Sequence, residues 1–171
     1  MKTALITGIN GQDGSYLAEF LLDKGYKVWG ILKRNSVAEN QTARISDNIF
    51  KRIKLEYADM LDMSSLIRVL QLCKPDEIYN LAAQSHVRIS FDQPIYTTHS
   101  IATGTLNLLE AVRLISPKSK IYQASSSEMF GNSVDDDGVQ RLTTSMNPVS
   151  PYGCAKLLAF NLVRHYRHAY G

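Results

Sequence analysis

The chain has 171 residues, 44% of them hydrophobic, with a formal net charge of +3; this suffices for one domain with a substantial core, and the scattered cations form no nucleic-acid stripe. No apolar run approaches the ~18 residues of a membrane span, and the first residues read as a strand rather than a charged leader, so a soluble, cytoplasmic protein without membrane or nucleic-acid partners is expected. Cys73 and Cys154 stand apart in helical patterns, which argues against a disulfide framework or a zinc site.

Ala4-Leu5-Ile6 predicts the first strand, and Thr7-Gly8-Ile9-Asn10-Gly11-Gln12-Asp13-Gly14 follows it directly. A helical pattern opens at Ser15, with Leu17, Phe20 and Leu21 on one face. Three glycines between strand and helix permit a tight turn and bring backbone amides close to a pyrophosphate at the helix start. The reading is a dinucleotide turn; a glycine turn with a purely structural role is the competing one. Further strands are predicted at Lys27–Leu32, Ile53–Tyr57, Glu77–Leu81 and Ile121–Ser125. Helical stripes lie at Leu66, Val69, Leu70 and Cys73, behind an Asp62 cap, and at Ile101, Leu108, Val112 and Ile115. Strand alternating with helix implies an α/β fold, a doubly wound parallel sheet of the Rossmann-like, NAD(P)-binding kind.

Two segments break the alternation. Residues 33–52 are mostly polar, with a weak helical pattern at Ile45, Ile49 and Phe50, and a loop of that length in a compact domain is usually functional. Residues 127–150 contain Asp135-Asp136-Asp137-Gly138, which reads as a solvated turn.

NAD-preferring sites place an acid about 20 residues past the glycine turn. Here the second strand runs instead into Leu32-Lys33-Arg34-Asn35-Ser36. A guanidinium binds two phosphate oxygens at once, so the segment points to NADP, against the alternative of an ordinary exposed basic pair. Asp59 could accept from an adenine amine, and Asn80-Leu81-Ala82-Ala83-Gln84-Ser85 offers small residues at the end of the fourth strand, where ligands of such sheets bind.

Tyr152 and Lys156 are four apart at the start of the last predicted helix, hence on one face. A cation beside a phenol favours the phenolate, which lets a group of ordinary pKa near 10 act as a base at neutral pH. Ser126 and Glu128 follow the fifth strand and, if the chain stays extended, share a side. A Ser-Tyr-Lys set suits oxidation of a sugar hydroxyl. Glu128 adds a base able to remove a proton beside a newly formed ketone, which points to elimination as well as redox; a glutamate that merely caps the following loop is the alternative. His86, His99, His165 and His168 show no ligand spacing supported by nearby acids or cysteines, and no metal is expected.

These residues together resemble the extended short-chain dehydrogenase/reductase superfamily, and within it the GDP-mannose 4,6-dehydratases. The resemblance spans the whole chain and rests on Thr7 to Leu17, Tyr79 to Val87, Tyr122 to Gly131 and Ser150 to Lys156, with Gln12-Asp13 in the glycine turn as its specific element. It implies catalytic roles for Ser126, Glu128, Tyr152 and Lys156. It implies NADP contacts at Gly8, Ile9, Asn10, Gly11, Gln12, Asp13, Arg34, Asn35, Ser36, Asp59, Met60, Leu81, Ala82, Ala83, Gln84, Ser85, Tyr96 and Lys156. The implied reaction turns GDP-mannose into GDP-4-dehydro-6-deoxymannose, in a homodimer or homotetramer whose basic loop reaches the neighbouring subunit's cofactor site. Lys33 and Asn35 depart from the residues usual in the family. Members run to about twice this length, so residues 1–171 are expected to be the NADP-binding N-terminal part of a longer enzyme, without the last strands and the substrate domain. An NADP-dependent nucleotide-sugar epimerase or reductase, which needs no Glu128, and a noncatalytic NADP-binding fragment are the other readings.

Overall fold

Five parallel strands carry the fold in a computed structural model that describes residues 1–34 and 42–171. They are β1 (Thr3–Thr7), β2 (Lys27–Leu32), β3 (Lys54–Tyr57), β4 (Glu77–Asn80) and β5 (Lys120–Gln123), in the spatial order β3-β2-β1-β4-β5. This order steps outward from β1 in both directions, as a doubly wound sheet requires. The predicted β2 coincides with the observed one; β3, β4 and β5 differ at their ends by one or two residues. The helices are α1 (Gln12–Asp23), α2 (Asp47–Phe50), α3 (Met63–Cys73), α4 (Val87–Asp92), α5 (Pro94–Thr98), α6 (Gly104–Ile115) and α7 (Pro151–Tyr170), with a π turn at His99–Thr103 and a 3-10 turn at Ser127–Met129.

The chain packs as two compact units, Met1–Ala82 with Asn107–Ala124, and Ala83–Leu106 with Ser125–Gly171. In the first unit, alternate strand residues feed two cores, because side chains point to opposite faces along a strand. Leu5, Trp29, Ile31 and Ile78 pack against Leu66, Val69 and Leu70 of α3 and Leu108, Ala111 and Val112 of α6. Ala4, Ile6, Val28 and Leu32 pack against Ala18 and Leu21 of α1 and against Ile45, Ile49 and Ile53. The weak pattern read at Ile45, Ile49 and Phe50 thus becomes the short α2, with Ile49 buried and Phe50 exposed. Cys73 is buried, and burial pushes its thiol up to about 12, as befits an inert core residue.

The second unit has its own cluster of Ile101, Tyr152, Ala155 and Ala159, flanked by Ala83 and Val87. Its acidic run is an exposed turn, as the sequence suggested, and Arg141 ties it together. Arg141 donates to Asp135 at 3.0 Å and to Asp137 at 2.6 Å, and Thr144 Oγ1 donates to Asp135 at 2.7 Å. The Arg141 guanidinium holds the Asp137 carboxyl below its usual range. Among the described residues, no helix is long and apolar enough to cross a membrane.

Candidate functional site

Ligands of doubly wound sheets bind outside the carboxyl ends of the strands, where the winding reverses. In this chain that place is the end of β1 and β4. β1 closes on Thr7, whose buried hydroxyl donates to Asn80 Oδ1 at 2.6 Å and accepts the amides of Leu81 and Ala82 at 3.1 and 3.0 Å. Asn80 Nδ2 donates in turn to Gln123 Oε1 at 2.7 Å. Side chains therefore cross-tie the ends of β1, β4 and β5.

Gly8 comes next, with φ +68°, and a Cβ on it would stand 3.0 Å from the Ala82 nitrogen. Both the left-handed backbone and the close approach demand glycine. The Gly11 amide donates to the Gly8 carbonyl at 3.0 Å, and Gly11 precedes α1 without any side-chain cap. The first turn of α1 thus meets its surroundings through main-chain amides and the positive end of the helix dipole, an arrangement that suits a phosphate. A Cβ on Gly14 would strike the Gly8 carbonyl oxygen and the Ile9 backbone. The turn is a cradle that side chains would fill, and a dinucleotide pyrophosphate fits it.

The candidates here are not alike. Ile9 is wholly buried, with its side chain against Gly30, where a Cβ would collide with it; only its backbone can meet a ligand. Met60 is buried too, and its carbonyl accepts from Asn107 Nδ2 at 2.9 Å. The amides of Leu81 and Ala82 are already given to Thr7. Lys33 Nζ lies 3.2 Å from Asp59 Oδ2, while Asp59 Oδ1 accepts the Leu61 amide at 2.9 Å. Arg34 stands over the Tyr57 ring, its guanidinium carbon 5.5 Å from the ring centre. Asn35 and Ser36 lie outside the described residues.

In the second unit, Ala83 borders the Tyr152 cluster, and Gln84 folds the segment that follows it. The Gln84 amide donates to the His86 carbonyl and to Thr97 Oγ1, each at 3.1 Å, and accepts the His86 amide at 2.6 Å. Ser85 and Tyr96 are exposed.

Ser150 caps α7, its hydroxyl accepting the Gly153 amide at 3.0 Å, and Pro151 occupies the first turn, where its missing N–H costs nothing. Tyr152 and Lys156 are only 8% and 5% exposed, with Lys156 Nζ 5.7 Å from the Tyr152 ring centre. Burial lowers the Lys156 pKa from its ordinary 10.5. Gly153, between them, lies against the turn that bears Glu128, for a Cβ there would come 2.5 Å from the Glu128 carbonyl oxygen. Backbone touches backbone at that point.

The predicted sharing of one side by Ser126 and Glu128 does not hold in its stated form. β5 ends at Gln123, and Ser126 instead caps the 3-10 turn, its Oγ accepting the Glu128 amide at 3.2 Å. A serine followed by free amides favours such a local bond over strand alternation. Its hydroxyl proton stays available for donation, because capping uses the oxygen as acceptor. Cys154 is exposed on α7.

A family model described as GDP-mannose 4,6 dehydratase matches residues 5–171. The chain belongs to the GDP-mannose 4,6-dehydratase family. Among curated relatives, GDP-mannose 4,6-dehydratase of Vibrio cholerae is 49% identical over 99% of this chain and 47% of that protein. GDP-mannose 4,6 dehydratase 2 of Arabidopsis thaliana is 51% identical over 99% of this chain and 47% of its own length. The chain spans about half the length of these curated relatives. Among solved structures, dTDP-glucose 4,6-dehydratase from Streptomyces venezuelae with NAD bound is 26% identical, with a TM-score of 0.84 over 99% of this chain and 52% of that one. The Thermus thermophilus UDP-glucose 4-epimerase complex with NAD is 25% identical, with a TM-score of 0.85 over 99% and 52%.

For a chain of this family, three features escaped the sequence reading. The Thr7–Asn80–Gln123 ties join residues far apart in sequence, which spacing alone does not reveal. Gly30 and Gly153 left a signal, since glycine is disfavoured inside a strand and in a helix without a reason.

Proposed function

We propose that this chain is the cofactor-binding and catalytic part of an NADP-dependent GDP-mannose 4,6-dehydratase, converting GDP-mannose to GDP-4-dehydro-6-deoxymannose. The observation that carries the reading is Gly153, which seats the start of α7, with its buried Tyr152 and Lys156, on the turn that bears Glu128. A dehydratase needs a carboxylate beside its redox pair; an epimerase or reductase does not.

The glycine cradle and the uncapped α1 would receive the pyrophosphate of NADP. Arg34, with Asn35 and Ser36, would take the phosphate on its ribose, and Asp59, steadied by Lys33, would meet the adenine. When bound, the cofactor would supply the redox chemistry, a hydride acceptor for carbon 4 of the sugar and a hydride donor for carbon 6. Tyr152 removes the carbon-4 hydroxyl proton, helped by the Lys156 charge. Ser126 donates a hydrogen bond that orients the same hydroxyl. Glu128 takes the carbon-5 proton, made acidic by the ketone next to it, and delivers it to the hydroxyl leaving carbon 6, so one water is lost. The proton held by Tyr152 then goes to carbon 5, which completes the balance.

The test is incubation of the full-length protein with GDP-mannose and NADP in deuterated water, followed by NMR. The expected result is a 4-keto-6-deoxy product with solvent deuterium at carbon 5, and a kcat about 10²–10⁴-fold lower in Glu128→Gln. A hexose epimer formed without loss of water would overturn the reading in favour of an epimerase; cofactor binding without turnover would leave a binding module. Assembly as a homodimer or homotetramer is part of the proposal, and light scattering on the full-length protein checks it.

A further inference from the structure

We propose that Tyr57 is a positioning residue for cofactor selectivity, holding the Arg34 guanidinium ready for the phosphate that distinguishes NADP from NAD. The inference rests on the reading above that Arg34 takes this phosphate.

The geometry starts from strand pairing. Tyr57 stands opposite Leu32 in the β2–β3 ladder, and the Ala58 amide donates to the Leu32 carbonyl at 3.1 Å, so the two strands end in step. Two residues beyond Leu32, Arg34 lies over the Tyr57 ring with its guanidinium carbon 5.5 Å from the centre. A cation–π contact attracts the charge to the ring quadrupole and engages no oxygen acceptor, so it leaves the guanidinium's capacity for hydrogen bonds to oxygen unused. The donors that would grip a phosphate are therefore left for it. Lys33, the neighbouring cation, is turned to Asp59 at 3.2 Å, whereas among the described residues no carboxylate neutralises Arg34.

The backbone that carries the ring is itself held. Arg68 of α3 donates to the Tyr57 carbonyl and to Glu56 Oε2, both at 2.8 Å, clamping the end of β3 at its backbone. Tyr57 is 47% exposed, and its side chain belongs to neither hydrophobic core of the first unit. An aromatic ring on a clamped edge strand, carrying a cation and little else, is better explained by the cation than by packing.

The test is calorimetric titration of the full-length protein and its Tyr57→Leu, Tyr57→Phe and Arg34→Ala variants with NADP and with NAD. Tyr57→Leu is expected to weaken NADP about two- to fivefold, the size of an exposed cation–π contact, with NAD unchanged. Tyr57→Phe keeps the parent's preference, and Arg34→Ala loses most of it. If Arg34→Ala leaves the preference intact, the reading of Arg34 falls, and the role of Tyr57 with it. If Arg34→Ala abolishes the preference while Tyr57→Leu retains it, or if Tyr57→Leu weakens both cofactors equally, the Tyr57 inference alone is overturned.

Discussion

The Thr7 hydroxyl donates to Asn80 Oδ1 at 2.6 Å from inside the sheet, and the same oxygen receives the next two amides of the Asn80 strand end, at 3.1 and 3.0 Å. One hydroxyl thereby fixes the path of residues 80–82 beside Gly8. Thr7→Val keeps the shape and removes all three bonds, leaving polar groups without partners. An expected loss of about 2–4 kcal/mol follows from their number and burial. Thr7→Ser restores the oxygen at the cost of one methyl, about 1 kcal/mol. Urea unfolding of the three proteins checks both values, and equal losses for valine and serine would contradict the assignment.

The glycines of the turn should differ in what they tolerate. A methyl on Gly14 meets the Gly8 carbonyl and the Ile9 backbone, which can move only by opening the turn. Gly14→Ala is expected to cost about 1–3 kcal/mol and to weaken cofactor binding as the amides shift. On Gly11 the methyl finds only the Gly8 oxygen, at 3.2 Å, so Gly11→Ala should cost under about 1 kcal/mol, as a change of helix cap does. Denaturation and titration of the two variants side by side decide the order.

The parallel sheet, its winding and the glycine turn were legible because they depend on local signals: apolar runs of strand length, helical stripes, and glycines between the two. The strand ends were read a residue or two off, since patterning does not say where a ladder stops. Ser126 and Glu128 show the harder limit. Their alternation followed from an extended chain, yet a serine hydroxyl three bonds from its own backbone claimed the Glu128 amide and turned the chain. The acid run at 135–137 is the exposed turn that its composition suggested, but the bridges from Arg141, four to six residues on, were not legible in it. Lys33 read only as part of a basic segment, and its pairing with Asp59, at the end of another strand, is one that no spacing rule anticipates.

Ser150 holds the start of the helix that bears Tyr152 and Lys156, its hydroxyl accepting the Gly153 amide at 3.0 Å in a buried setting. Ser150→Ala should cost about 1–2 kcal/mol, with Ser150→Asp recovering part of it. Because the cap acts on the first turn, hydrogen exchange at the Gly153 amide should quicken in the alanine variant while the middle of α7 stays protected. Uniform quickening along α7 would show that the serine supports the whole packing instead.

Lys156 carries the clearest pH signature. Burial lowers its pKa in the folded protein below the ordinary 10.5, so the unfolded chain holds this proton more tightly. Wherever the unfolded state binds more protons, stability rises with pH. The cost of burying the ammonium is therefore fully present below the folded pKa and disappears as pH climbs from there towards 10.5. Lys156→Met removes that cost at every pH while nearly preserving the volume. The melting temperature of the methionine variant relative to the parent should thus fall steadily through the alkaline range, since only the parent recovers stability there. Taking the difference between the two proteins cancels the tyrosines and other lysines that titrate in the same range. A difference that stays constant from neutral pH to 10.5 would mean that the Lys156 charge is stabilised in the fold, and that its burial carries no penalty.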